Sequence, residues 1–206
     1  MPKWTPQPIW QDQDAIVIGG GASLHSFPFE VLVPEYVIGC NAAYSLGKDV
    51  CSVVFFGDNT FFEKHEEGLK RYDGPVFTCS RRLYQSDAIS WLRVVRRIPE
   101  GMAIDAVGWN GNTGAAAINL AFLFGCRRVF LLGFDMSEWQ GRSHWHDLYP
   151  KDNVQDYPKF MRGFMMMADG WRRVFPDREI INVTDNSALE LFLKMSVQDF
   201  LKRRTK

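Results

Sequence analysis

The sequence predicts an α/β protein, a single Rossmann-like domain with a mostly parallel sheet flanked by helices. Three observations carry that expectation. Apolar runs such as "AIVIG" (15–19) are continuous rather than alternating, as in strands covered on both faces. Segments of helical character stand between these runs, the order of a βαβ chain. The turns that follow the runs are rich in Gly, Asn and Asp, and open α/β sheets gather ligands at the carboxyl ends of their strands. A chain of 206 residues is long enough for one domain with a full core.

The elements follow in order. Residues 1–14 contain three prolines and read as an arm lying on the surface, so the domain proper runs over 15–206. "AIVIG" is the first strand, "YVIGCN" (36–41) the second and "CSVVFFGDN" (51–59) the third. "TFFEKHEEGLKRY" (60–72) has helical periodicity, and strands are expected at 74–80 and 91–98. "TGAAAINLAFLFG" (113–125) is apolar nearly all round, which predicts a helix buried against the sheet. Asn112 or Thr113 caps it and Gly125 ends it. "RRVFLLGFD" (127–135) is the next strand, and the polar, aromatic loop 136–157 is placed as a lid over the site. A helix at 158–174, whose Met165 to Met167 read as core filler, precedes a strand at 179–183 and a last helix at 187–203.

Composition narrows the function classes. Lys plus Arg and Asp plus Glu are both 24, and such a balance argues against nucleic acid as a partner. Four cysteines without C-x-x-C spacing suggest neither a disulfide framework nor a zinc knuckle. The N-terminus lacks the apolar core of a signal peptide and no apolar run suffices to span a bilayer. The expected location is cytoplasmic, without a transmembrane segment.

The strand ends hold the candidate site. In Gly19 to Leu24, "GGGASL", glycines allow a tight turn and close approach to a phosphate, and a helix start there would offer free N–H groups. A dinucleotide fingerprint fails on two counts. Leu24 stands where a small residue should let a helix pack on the strand, and Asn41 stands where a carboxylate would hold a ribose. The P-loop pattern is absent. Asn41, Asn59 and Asn112 each read alone as a cap or turn residue; together at one sheet edge they make a polar pocket. "GNTG" (111–114) offers a second helix N-terminus to an anion.

The succession "IGGGASL", "IGCNAAY", "FFGDN", "GNTGAAAINLAFLFGCRRVFLLGFDMS" and "NVTDNSAL", over residues 15–192, resembles the bacterial lipooligosaccharide sialyltransferases of glycosyltransferase family 42. The related hydroxymethylpterin pyrophosphokinase-like proteins share the opening and the helix–strand pattern. The resemblance implies that Gly19, Gly21 and Ser23 surround a nucleotide phosphate or ribose, and that Asn41 and Asn59 contact the nucleoside or donor sugar. It further implies that Asn112, Thr113 and Gly114 hold the donor's sugar and phosphate, with Gly133, Phe134 and Asp135 flanking the nucleoside. The implied activity is metal-independent, inverting transfer from a nucleotide-sugar, a CMP-sugar being favoured, to a glycan or other hydroxyl acceptor. No cofactor is called for beyond the donor itself.

Such transfer needs a base for the acceptor hydroxyl and charge stabilisation on the departing phosphate. In the family a histidine after the "GFD" strand is the proposed base and tyrosines serve the phosphate. Here "SEWQGRSHWHDLYP" (137–150) supplies Arg142, His144, His146, Asp147 and Tyr149, with the carboxylate suited to fix a histidine tautomer. Met136 and Ser137 stand where the family has aromatic hydroxyls, so Tyr149, Tyr157 or Arg142 is expected to serve instead. His144 and His146 also have spacing for a metal, without an evident third ligand. His25 and His65 read as surface or packing residues. Two rival readings stand beside this one. The first is Mg²⁺-dependent diphosphate transfer to a pterin-like alcohol, with Asp58 and Asp135 as metal carboxylates. The second is a non-catalytic nucleotide-binding protein.

Overall fold

The apolar runs become the strands of one sheet in the computed structural model, which describes residues 3–33, 35–85, 89–150 and 154–203. In chain order these are β1 (Lys3–Trp4), β2 (Asp14–Ile18), β3 (Tyr36–Cys40), β4 (Val53–Phe56), β5 (Val76–Thr78) and β6 (Leu92–Val95). A two-stranded side sheet follows, β7 (Arg97–Ile98) with β8 (Val107–Gly108), and then β9 (Arg128–Leu132), β10 (Glu179–Asn182) and β11 (Leu193–Lys194). The nine strands of the main sheet run β1-β6-β5-β4-β3-β2-β9-β10-β11, and every pair is parallel. From β2 the chain steps outward through β3 to β6 and then returns to the other side of β2 with β9. That reversal is where an open α/β sheet leaves a crevice at its carboxyl edge.

The helices are α1 (Asn59–Arg71), α2 (Arg81–Tyr84), α3 (Thr113–Leu123), α4 (Tyr157–Val174) and α5 (Val197–Lys202). Alternate residues of β2 serve opposite faces: Ala15 and Val17 join the core under α3, while Ile16 and Ile18 join the core of the other face. Every residue of α3 is buried, as its all-round apolar sequence requires. Helix α4 covers α3 with one face, through Phe164, Met167 and Ala168. Of the three adjacent methionines only Met167 is fully buried, and Met165 is 56% exposed, so the core-filler expectation holds for one of them.

Three expectations change. The segment 1–14 is tied into the fold: β1 adds an edge strand, Trp4 meets Phe77 and Phe124 edge-on, and Trp10 is buried against Phe124. Two indoles bury enough apolar surface to outweigh the prolines between them. The strand expected at 91–98 breaks at Arg96, its two halves joining different sheets. The helix expected at 187–203 shrinks to α5. Ser187 is buried, its hydroxyl donating to the Phe134 carbonyl while accepting from the Asn182 amide and the Leu189 N–H, and β11 then pairs with β10. Local side-chain bonding of this kind competes with helix.

Candidate functional site

A cavity of about 190 Å³ opens at the switch point, between the ends of β2 and β9, the start of α3 and the loop after β9. The glycine turn forms its floor, though two of the three glycines face protein. A Cβ on Gly19 would lie 2.5 Å from the Gly133 carbonyl oxygen, and one on Gly21 would lie 2.6 Å from the same oxygen and overlap the Asp135 carboxylate. Gly19 donates to the Leu132 carbonyl and Gly21 to that of Gly133. Asp135 is 4% exposed, and its two oxygens accept from the Ser23 amide at 2.8 Å and the Ser23 hydroxyl at 2.6 Å. The turn is therefore clasped to the end of β9. Gly20 alone turns toward the lid, where a Cβ would meet His144 Cδ2 at 3.2 Å.

After the turn comes a three-residue 3-10 turn, Ala22–Leu24, rather than an α-helix, so no helix N-terminus stands there. Leu24 packs over Gly133, whose φ is +71° and whose Cβ position it fills at 2.5 Å. The helix start that does face the cavity belongs to α3. The Asn112 side chain caps it by accepting from the Ala115 amide, and its NH₂ donates to the Phe160 carbonyl, which fastens α4 to the site. The amides of Thr113 and Gly114 have no partner among the described residues, and both residues line the cavity. Gly114 is small because Phe134 occupies the place of its Cβ. Asn41 starts the 3-10 turn after β3 with φ +50°, and its buried amide oxygen accepts no hydrogen bond among the described residues. A buried acceptor without a donor is costly, which suits a position that a ligand completes.

The loop 136–150 forms the roof; residues 151–153 of the expected lid lie outside the described residues. Gln140 and Gly141 have φ of +50° and +72°, closing a tight hairpin between Trp139 and Arg142. The returning strand brings His144, His146 and Tyr149 into the cavity wall, with Gln155, Tyr157 and Phe160 beyond them. Trp145 pins this stretch to the glycine turn: its amide donates to the Gly20 carbonyl at 3.2 Å and its indole N–H to Gly19 at 3.0 Å. Trp145→Phe keeps the packing on Phe29 but loses the indole bond. The expected result is amide exchange at 143–149 faster by about fivefold, one hydrogen bond's worth, with α3 unchanged by mass spectrometry.

The two imidazoles lie stacked with centroids 5.2 Å apart, each meeting the Tyr149 ring edge-on at 4.8 Å. Burial pushes both histidines below the usual range, His146 to about 4 with neighbouring His144 and His65 adding to the effect, so both are neutral at pH 7. Gln155 acts on His144 in the opposite sense to burial and is the weaker of the two influences. The His146 tautomer is set by a neighbour other than Asp147, which is exposed. His146 Nδ1 accepts from the Leu148 amide at 3.3 Å, so its proton sits on Nε2. Burial raises the Tyr149 pKa, so its phenol stays protonated.

Gly19, Gly21, Asn41, Asn112, Thr113, Gly114, Gly133, Phe134, Asp135, His144, His146 and Tyr149 thus meet in one cavity. Ser23 instead lines a neighbouring groove and serves the clasp. Asn59 is the first residue of α1 and accepts from the Ser80 hydroxyl outside the cavity; its neighbour Asp58 lines the wall. Arg142 is exposed at the hairpin tip and does not line the cavity. Gln155 and Phe160, which also line it, sit in a polar stretch without a motif. His25 is exposed, while His65 packs against Tyr149 and hydrogen-bonds Tyr44 at 3.1 Å. Among the described residues no three His, Cys, Asp or Glu side chains cluster to hold a metal ion, and both Asp135 oxygens accept from Ser23. No described helix is long and apolar enough to cross a membrane.

The sequence matches no protein-family model and no curated protein sequence. Solved structures do resemble it. The sialyltransferase CstII from Campylobacter jejuni, in complex with the substrate analogue cytidine-5'-monophosphate, superposes with a TM-score of 0.57 at 15% identity, over 90% of this chain and 86% of that one. An α-2,3-sialyltransferase from Campylobacter jejuni in apo form gives 0.56 at 17%, over 93% and 83%. A CST-II complex with a trisaccharide acceptor and CMP gives 0.54 at 14%, over 89% and 86%. The pyrophosphokinase side of the sequence resemblance has no counterpart among these three. At such identities the likeness is one of architecture: the chain has a sialyltransferase-like fold.

Proposed function

We propose that the protein transfers a sugar from a nucleotide-sugar, with cytidine as the favoured nucleoside, to a hydroxyl acceptor by metal-independent inversion. One observation carries the reading: an open helix N-terminus and a pair of neutral imidazoles line the same cavity at the switch point. The amides of Thr113 and Gly114 suit the phosphate, whose charge the dipole of α3 favours. The neutral imidazole of His144 suits deprotonation of the acceptor, and the Nε2–H of His146 suits hydrogen bonding to the departing phosphate. The phenol of Tyr157, beside Ser143, adds a second donor. The fold shared with structures solved with CMP supports the nucleotide assignment.

The non-catalytic reading rests on the missing hydroxyls after β9. Against it, Tyr149 and Tyr157 supply phenols to the cavity from the loop and from α4. Thermal unfolding with CMP, CDP, UDP, GDP and ATP tests the proposal. At about 100 times its Kd, CMP is expected to stabilise the fold by roughly 2.7 kcal/mol, a rise of about 5–10 °C in Tm. No shift with any of the five overturns it.

A further inference from the structure

We propose that Asp58 makes the cavity selective for donors whose sugar is uncharged and rich in hydroxyls, over donors whose sugar carries a carboxylate. This rests on the nucleotide-sugar reading and names the substrate class within it.

The observation is a cap that is not made. Asp58 holds the N-cap position of α1, where Asp ordinarily accepts from an amide of the first turn. Its backbone carbonyl accepts from Phe62, yet its side chain caps nothing. The same position of α2, α3, α4 and α5 is held by Ser80, Asn112, Asp156 and Ser196, and each of those side chains makes the cap bond. The Asp58 carboxylate instead lines the cavity wall and makes no hydrogen bond or ion pair among the described residues.

Its surroundings define what it can accept. Lys159 and Arg97 act on it from a distance, but neither lines the cavity, and Arg97 lies over the Trp109 ring at 5.0 Å. Burial outweighs both cations and raises the carboxyl above its usual range. Tyr149 stands near it as a neutral phenol. The other cavity carboxylate, Asp135, already accepts from Ser23 through both oxygens, one bond each. Asp58 is thus the cavity carboxylate without a hydrogen-bond donor among the described residues. Sugar hydroxyls can donate to it, whereas a sugar carboxylate brings a like charge into a partly dry site.

Calorimetric titration at pH 7.5 tests this with two matched pairs, CMP-N-acetylneuraminate against its C1 methyl ester, and UDP-glucuronate against UDP-glucose. In the native protein the uncharged member of whichever pair binds is expected to be tighter by about tenfold or more. Asp58→Asn is expected to bring the pair within about twofold, mainly by tightening the acidic member. Equal affinities in the native protein overturn the proposal, and so does a preference that survives Asp58→Asn. The native comparison needs no variant, so a poorly folding substitution does not protect the idea. If CMP or UDP binds while no conjugate does, the sugar assignment falls and the nucleotide site stands. If no nucleotide binds, both fall.

Discussion

His144→Ala is expected to cut the turnover of sugar transfer by about 10²- to 10⁴-fold while nucleotide affinity stays within about twofold. The imidazole stands above Gly20 in the cavity wall, and burial keeps it neutral. The phosphate is assigned to the start of α3 and not to the ring, so truncating the ring removes the base and spares the anchor. The pH profile gives an independent reading. A base works unprotonated, so activity is present above its pKa and lost as pH falls through it. Burial lowers the His144 pKa, which moves the acid limb of kcat/KM below 6.5. His146, at about 4, stays a neutral donor across that range. A limb at 6.5 or above would assign the base elsewhere. Loss of nucleotide binding in His144→Ala would make the histidine structural.

What the sequence disclosed, and what it hid, follows from how local each signal is. Strands β2, β3, β4 and β9 were legible because a strand buried on both faces is apolar without interruption, and α3 because it is apolar all round. The terminal segments misled. Prolines outvoted two tryptophans at one end, and at the other a helical pattern concealed Ser187 bonding to Phe134, 53 residues away. At the site, sequence spacing found the strand ends but not the direction of each side chain. Asn59 and Asp58 are adjacent, and only the second faces the cavity. Arg142 belongs to a hairpin whose tip points to solvent, which Gln140 and Gly141 hint at only once their positive φ is known. The glycine turn was legible as a special backbone, but its reason was not. Glycine-rich turns suggest phosphate by analogy, whereas Gly19 and Gly21 are small because the end of β9, more than 100 residues later, lies against them.

That distinction yields a second large effect. Gly21→Ala is expected to lower stability by about 3 kcal/mol, or Tm by roughly 6–12 °C, whether or not nucleotide is present. The cost is steric alone: Gly21 sits at φ −61°, which any residue adopts, but its Cβ would collide with the Gly133 carbonyl and the Asp135 carboxylate. Both obstacles are fixed, one as backbone and one by two bonds to Ser23, so neither can move without opening the clasp. Gly20→Ala is the matched control. Its Cβ meets only His144 Cδ2 at 3.2 Å, a side chain in a loop, so stability should fall by less than about 1 kcal/mol while transfer slows as the ring is displaced. If the outer glycines instead existed to admit a phosphate, Gly21→Ala would melt normally and lose only nucleotide binding. Melting curves of the two variants, with and without CMP, separate a turn built for its ligand from one built for the strand beside it.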